Sequence, residues 1–577
     1  MINFVIDLNK NSEIFSDRDL FREKPRSLKE INYGENVLYL WGDPIITGEI
    51  EIFENDDTQI DSVLNNIAGH YYYLLVKKDI CYIGNSIFSI LPIYYNLSER
   101  LVLSNNAVDV SKIIKHSEIN KRFILENILF NYPLFNQSSL SKVSLLPANS
   151  YIKIKGGKVE ILKHTNMDDY YTYSPRHWKK SASDISELFI ETSKKYFPIE
   201  LSSYALTGGF DGRTLISCSL YYGNKFDAFC FGRSESDDII IGKYVADKTS
   251  LDYHKFILDE EFAEKHSKNN GLEFIRNASG SATFARAHYL YAAKELAEKY
   301  GYIVTGNFGN EVLQATNVLG VVTSPNVYNL FASETYDEAI HKIINSSEYT
   351  WLNKDNFVQE WESLLADIKN LPPFDKKYSE LTITQKYYIT FYEEVMRKYF
   401  GAEMTNQFKY IKNRTPFLDF RFFKEIVKTE LAGVNREFFN RNPVKRFKGQ
   451  VIYGHIIGKT TPALGKLKSS WGYTPDDLIS QTGKLRILYG YFKRNRKNYL
   501  GRFGNSPVRF EKTVSDPFGV NSALMHNLSY FSSLDIDREL FNHKIIGKCL
   551  AQKKVSRQLF NAISQVYWNN YLRSILN

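Results

Sequence analysis

The residues best placed to do chemistry are Thr207-Gly208-Gly209-Phe210-Asp211-Gly212. They follow a strand-length run, Ser203 to Leu206, and precede helix-forming residues from Arg213 onward. The pattern reads as strand, tight turn, helix. A strand feeding a helix this way aims backbone N–H groups at one spot, where the helix dipole adds to their pull on an anion, phosphate above all. Gly208 and Gly209 let the backbone approach phosphate oxygens with no Cβ between. Asp211 could hold a Mg2+ bridging pyrophosphate oxygens. No Gly-Lys-Ser/Thr follows, so this is not a Walker A loop, and the spacing is not a dinucleotide fingerprint. The competing reading is an ordinary strand-to-helix turn. A second turn, Thr305-Gly306-Asn307-Phe308-Gly309-Asn310-Glu311, ends the run Tyr302-Ile303-Val304. It also reads as a plain Gly/Asn loop. Further on, Lys468 precedes Ser469-Ser470-Trp471, with Lys466 beside it and Lys445 and Lys448 upstream. By residue type alone these lysines read as solvated side chains.

The surrounding elements position these turns. From Asp184, with Glu187 in capping-box register, a helix is expected whose inward stripe is Ile185, Leu188, Phe189 and Thr192. Phe226 to Phe231 and Tyr253 to Ile257 read as strands, with a helix opened by Glu235, Asp237 and Asp238 between them. A helix over 284–299 leads into Tyr302-Ile303-Val304. Alternating strand and helix predicts a parallel, doubly wound sheet with both turns at carboxyl ends of strands. Residues 1–165 are strand-rich, with runs at Val37–Trp41, Tyr71–Val76 and Leu101–Ser104 and a hairpin at Gly156-Gly157.

The glycine turn resembles the Ser-Gly-Gly-x-Asp-Ser pyrophosphate loop of the ATP-pyrophosphatase superfamily, with Gly212 in place of the last serine. Four N-terminal segments, Gly69-His70-Tyr71-Tyr72-Tyr73, Gly84-Asn85-Ser86, Leu91 to Tyr95 and Leu103-Ser104-Asn105-Asn106, come in the order of the glutaminase domain of glutamine-dependent asparagine synthetases. Leu145 to Tyr151 continues that order. Arg414-Thr415-Pro416-Phe417-Leu418-Asp419 is similar to the family's Arg-Val-Pro-Phe-Leu-Asp, and Lys468 to Trp471 to its Lys-x-Gly-Phe. The second turn is similar to its Ser-Gly-Glu-Gly-x-Asp-Glu, with Asn307 for the first Glu, Phe308 for the second glycine and Asn310 for the Asp. The two acid-to-amide changes, at Asn307 and Asn310, weaken the expected Mg2+ site, since amide oxygens are weaker ligands.

The resemblance implies an α/β chain: an antiparallel β-sandwich like the glutaminase domain, then a doubly wound ATP-pyrophosphatase domain with a helical C-terminal extension. The boundaries expected are 1–165, a linker at 166–182, 183–475 and 476–577. It implies ATP and Mg2+ as ligands. Leu206, Thr207, Gly208, Gly209, Gly212, Phe231, Thr305, Gly306 and Asn307 would contact the nucleotide. Asp211 and Asn310 would hold the metal. Asp211, Glu311 and Lys468 would serve catalysis. The family's glutaminase uses an N-terminal cysteine, but Met1 is followed by Ile2 and no cysteine precedes Cys81. Isoleucine has no nucleophile to activate. Glutamine is therefore not the expected nitrogen donor. An ATP-dependent amide ligase using a substrate amine is expected instead, as in the lasso-peptide cyclases and β-lactam synthetases of this family. Ammonia-using asparagine synthesis and a degenerate nucleotide-binding scaffold are the alternatives.

At 577 residues the chain needs two or three cores. Its net charge of +8 fits a solvated basic face better than a nucleic-acid partner. The basic cluster Lys493, Arg494, Arg496, Lys497 and Arg502, interleaved with Tyr491, Phe492 and Tyr499, is read the same way. Its partners are expected to be small-molecule or peptide substrates, with a homodimer as one arrangement. Four scattered cysteines, no apolar run of membrane-spanning length and no leader-like start lead to the expectation of a cytoplasmic protein.

Overall fold

The computed structural model describes residues 2–8, 20–50, 60–77, 79–97, 101–314, 322–436, 447–489 and 516–576, without the side chains of residues 447 and 448. Lys445, the Lys448 side chain and the whole basic cluster from Tyr491 to Arg502 lie outside them.

The first part is built from β1 (Val5–Leu8), β2 (Phe21–Glu23), β3 (Lys29–Tyr33), β4 (Asn36–Ile46), β5 (Ile67–Lys77), β6 (Ile80–Asn85), β7 (Tyr94–Asn96), β8 (Leu101–Ser104), β9 (Ser144–Leu145), β10 (Ser150–Lys155) and β11 (Lys158–Lys163). They form two antiparallel sheets, β2-β1-β8-β7-β9 and β11-β10-β6-β5-β4-β3. Phe4 and Phe21 of the first sheet's side pack edge-on against Trp41 of the second, and Phe4 also meets Tyr72. These aromatic pairs fill the space between the sheets, as the period-two alternation of β4 and β5 requires. The Gly156-Gly157 hairpin joins β10 and β11 in register from Lys155↔Lys158 to Ser150↔Lys163.

The second part is a parallel sheet of β12 (Ser203–Ala205), β13 (Asp227–Gly232), β14 (Tyr253–Ile257), β15 (Tyr302–Val304) and β16 (Lys412–Arg414), in the order β14-β13-β12-β15-β16. The chain winds outward from β12 to β14, then returns to the other side of β12 for β15 and β16. The direction of winding therefore reverses between β12 and β15. Loops that leave such neighbours diverge and open a crevice at their carboxyl ends. Helices follow to the C-terminus, ending in His543–Ala551 and Arg557–Leu576. The fold class expected from the sequence is the one observed.

The first helix of this part differs from expectation. It runs Trp178–Lys194, not from Asp184, so the stretch expected to link the parts is helical from Trp178. The His177 side chain accepts from Lys179 N–H, and the Ser181 hydroxyl folds back onto the His177 carbonyl. Histidine is not a favoured cap, so the sequence points past it to Asp184. The buried stripe is as read: Ile185, Phe189 and Thr192 are buried and Leu188 is partly so.

The two parts are joined by charge as well as apolar packing. Arg414, at the end of β16, makes a bidentate pair with buried Asp43 of β4, at 2.7 and 3.1 Å. The neighbouring Thr415 hydroxyl lies 2.7 Å from His70 Nε2 of β5. Burial lowers the His70 pKa to about 4, so this contact is made by a neutral ring. The Arg-Thr-Pro-Phe-Leu-Asp segment thus forms part of the seam. Its Asp419 caps the helix Phe420–Ile426.

Candidate functional site

Both glycine turns leave the adjacent strands β12 and β15, where the winding reverses, and they meet. The helix Asp211–Tyr221 starts directly after the first turn. A Cβ on Gly306 would lie 2.5 Å from the Asp211 Cβ and 2.8 Å from Gly212 N. A Cβ on Gly309 would collide with the Asp211 carboxylate and lie 3.1 Å from the Tyr453 hydroxyl. The second turn can therefore cover the start of this helix only because both positions are glycine. Thr305 anchors it: its N–H donates to Arg414 O, and its hydroxyl to Asn413 Oδ1 at 2.9 Å.

Phe308 stands where the resembled motif has glycine, and its backbone is left-handed, with φ of 71°. A non-glycine residue pays about 1–2 kcal/mol for that conformation. The cost is offset by full burial of the ring, 5.0 Å from Phe400 and 6.3 Å from the His70 ring. The turn keeps the backbone shape that the changed residue disfavours.

Asp211 accepts hydrogen bonds from Asn310 Nδ2 at 3.2 Å and from the buried Tyr453 hydroxyl. Burial raises its pKa to about 6, against the pull of those bonds. Burial likewise raises Glu311 to about 7, and the nearby charges of Asp211 and Glu403 add to that rise. Two carboxylates with raised pKa values side by side gain from a cation between or beside them. Among the described residues no group of three or more His, Cys, Asp or Glu is arranged as a metal site. A Mg2+ carried by substrate phosphates would need only one or two protein carboxylates, and Asp211 and Glu311 could supply them. Asn310 is placed differently from expectation. It turns its N–H toward Asp211, while its oxygen accepts from Gln314 at 2.5 Å, so it faces the carboxylate as a donor.

The first turn differs from expectation at its amides and at Gly212. Gly208 N–H donates to Asp238 Oδ1 at 3.1 Å, and Gly209 N–H to its neighbour's Thr207 Oγ1 at 3.3 Å. A phosphate at this turn would have to replace these partners. Space for it exists at Gly209, where a Cβ would meet only Thr207 Oγ1 at 3.5 Å. Gly212 does different work. A Cβ there would strike the Ala205 carbonyl, so this glycine lets the helix pack onto β12. The Leu206 side chain is fully buried and its carbonyl accepts from Tyr253, so it turns no side chain to the crevice. Phe231, at the end of β13, is partly exposed and packs against the rings of His288 and Tyr289.

Lys468 is exposed, and its segment is tied to the first turn from both sides. Fully buried Arg213 donates to the carbonyls of Leu467 and Lys468 at 2.5 and 3.0 Å. Ser470 N–H donates to Gly208 O at 2.9 Å. The structure therefore gathers Thr207 to Gly212, Thr305 to Glu311 and the Lys468 backbone in one place.

Sequence reasoning missed Arg213, Asp238, Glu403 and Tyr453. Buried Glu403 accepts from Asn307 Nδ2 at 3.0 Å and pairs with Arg286 at 2.7 Å. It thus places a carboxylate beside Asn307, where the resembled motif has one. Only Asp238 carried a signal, as an acid in the first turn of a helix next to the crevice.

No family model matches the chain, and no curated protein does. Among solved structures it is similar to a glutamine phosphoribosylpyrophosphate amidotransferase from B. subtilis complexed with ADP and GMP, at 10% identity and a TM-score of 0.15. The match covers 38% of this chain and 46% of that one, less than half of either. No helix among the described residues is long and apolar enough to cross a membrane.

Proposed function

We propose that this chain is an ATP-dependent ligase that activates a carboxylate as an acyl-adenylate, releases pyrophosphate and AMP, and forms an amide with an amine. The observation that carries this reading is the convergence of two glycine turns on Asp211 where the parallel sheet reverses its winding. That is where open α/β sheets bind ligands, and the first turn opens a helix of anion-binding polarity.

In this reading the triphosphate lies over Gly208 and Gly209, displacing the Asp238 carboxylate from the Gly208 amide. Mg2+, when bound, neutralises the pyrophosphate leaving group, and Asp211 and Glu311 are the residues that would hold it. The substrate carboxylate attacks the α-phosphorus, and the bond from that phosphorus to the bridging oxygen breaks. The amine then attacks the acyl carbon, loses a proton, and AMP leaves. The Lys468 ammonium, on the segment that Arg213 pins to the turn, offsets negative charge on the reacting phosphoryl group. A thiol-based glutaminase in the β-sandwich gains no support: Cys81 is buried, and desolvation pushes its thiol far above the usual range. An amine carried by the substrate, or free ammonia, fits better, and ring closure within a peptide is one form of it.

A scaffold that does no chemistry is the second reading. It is favoured by the loop amides already taken by Asp238 and Thr207 and by the Asn310 N–H facing Asp211. Release of AMP and pyrophosphate from Mg-ATP separates the two. Offered with aspartate plus ammonia, then with short peptides, an active ligase forms both products in equal amounts with one substrate set. ATP binding with no AMP from any set supports the scaffold.

A further inference from the structure

Phe308 is the strained residue of the second turn, and part of what holds it comes from the β-sandwich. It precedes the short helix Gly309–Leu313, which carries Asn310 and Glu311 beside Asp211. Its aromatic neighbours are Phe400, on the helix Met396–Phe408, and His70, on β5. His70 is a costly residue for that place. It is buried, its ring is neutral, and its Nδ1 has no hydrogen-bond partner among the described residues. An apolar ring would avoid the penalty of a buried, unpaired nitrogen. What histidine adds is direction. Its Nε2 lies 2.7 Å from the Thr415 hydroxyl, and Phe408 meets the ring edge-on at 6.2 Å. These two contacts fix the ring that faces Phe308.

A second chain of contacts runs from the neighbouring strand. Asp43 of β4 holds Arg414, whose carbonyl accepts from Thr305 N–H. Gly69 lets the two strands close up here: its φ is 89°, and a Cβ would lie 2.4 Å from the Asp43 carbonyl oxygen. Strands β4 and β5 thus reach the second turn at two points, Thr305 and Phe308.

We propose that His70 is a positioning residue for the second turn. It holds the Phe308 ring so that the left-handed backbone, and with it Asn310 and Glu311, keeps its place beside Asp211. The sandwich in this role supports the crevice and needs no glutaminase chemistry to do so. The hold on the turn stands by itself; only its consequence for Mg-ATP rests on the ligase reading.

Hydrogen–deuterium exchange of the full chain, without nucleotide, reads the turn. His70→Ala should speed exchange in residues 306–311 about 2- to 12-fold, the range set by losing one aromatic pair. Thr415→Val, which removes the bond that aims the ring, should speed the same amides and serves if His70→Ala does not fold. Phe308→Gly supplies the decisive background. Glycine adopts a φ near 71° freely, so the turn no longer depends on the ring. Adding His70→Ala or Thr415→Val to Phe308→Gly should leave exchange in 306–311 unchanged. A purely structural role in the seam would show its full effect in both backgrounds. The proposal is overturned if neither variant speeds exchange there, or if the effect persists undiminished in Phe308→Gly. Titration with Mg-ATP separates this idea from the ligase reading. His70→Ala should weaken Mg-ATP binding by about the same factor, and only where Phe308 is present. The expected exchange pattern with no Mg-ATP binding by wild type keeps the positioning role and sinks the ligase. Wild-type Mg-ATP binding with exchange unmoved by either variant keeps the ligase and sinks the positioning role.

Discussion

Gly209 and Gly212 sit three residues apart in one turn, and the structure predicts opposite consequences for the same substitution. At Gly209 an added methyl meets only Thr207 Oγ1 at 3.5 Å, an ordinary contact. Gly209→Ala should leave stability unchanged or raise it by about 0.4–1 kcal/mol, because the unfolded chain loses freedom. The methyl instead occupies the face that a phosphate would approach in the proposed reading. Losing one charge-assisted hydrogen bond costs about 1.5–3 kcal/mol, or about 10- to 150-fold in Mg-ATP affinity. At Gly212 the methyl would strike the Ala205 carbonyl. Overpacking of this kind costs about 1–3 kcal/mol, against about 1 kcal/mol regained in helix propensity. Gly212→Ala should therefore lower the melting temperature, with a net loss of up to about 2 kcal/mol. Thermal melting and calorimetric titration with Mg-ATP read both variants. A folded Gly209→Ala that binds Mg-ATP like wild type would refute the placement of the phosphates. A Gly212→Ala more stable than wild type would refute the tight helix–strand approach.

Three further outcomes follow from the same geometry. Asp211 keeps its proton to about pH 6 when folded and to about pH 4 when unfolded, so its contribution to apo stability is present below pH 4 and lost as pH rises to 6. Asp211→Asn should thus stabilise the apo protein at pH 8 by on the order of 1–2 kcal/mol, and wild-type Mg-ATP affinity should fall as pH drops through 6, both read by melting and titration across pH. Arg213→Ala frees the Leu467 and Lys468 carbonyls, so AMP formation should drop at least about tenfold while Mg-ATP affinity changes little, measured as separate kcat and Kd values. Asp43→Ala leaves Arg414 half-paired in the seam and should cost about 3–5 kcal/mol in denaturant melts, more than the same change at exposed Glu160.

Much of the framework was legible because it rests on local signals. Strands β13 and β15 are largely apolar runs, β14 is rich in aromatic and β-branched residues, and the ends of all three fall within a residue of those read from sequence. The first turn announces itself through adjacent Gly208 and Gly209, the second through Gly306 and Gly309 after a strand-length run. What stayed hidden is the tertiary contact. Nothing near Tyr453 in the chain shows that its hydroxyl reaches Asp211, 242 residues away. Glu403 reads as one more acid in a helix until Asn307 and Arg286 are brought to it. Phe308 misleads for another reason: burial outweighs backbone preference, so a left-handed turn forms without its glycine. The roles of Gly208 and Gly212 also differ from a simple phosphate-cradle reading, because one amide already serves Asp238 and the other glycine serves helix packing.

The most direct test of the central claim is calorimetric titration of Mg-ATP into wild type and Asp211→Ala at pH 8. The account predicts one site per chain in wild type, dependent on Mg2+, and no measurable binding by the folded variant. Equal binding by both proteins would contradict it, since the metal–phosphate site would then lie away from the two glycine turns.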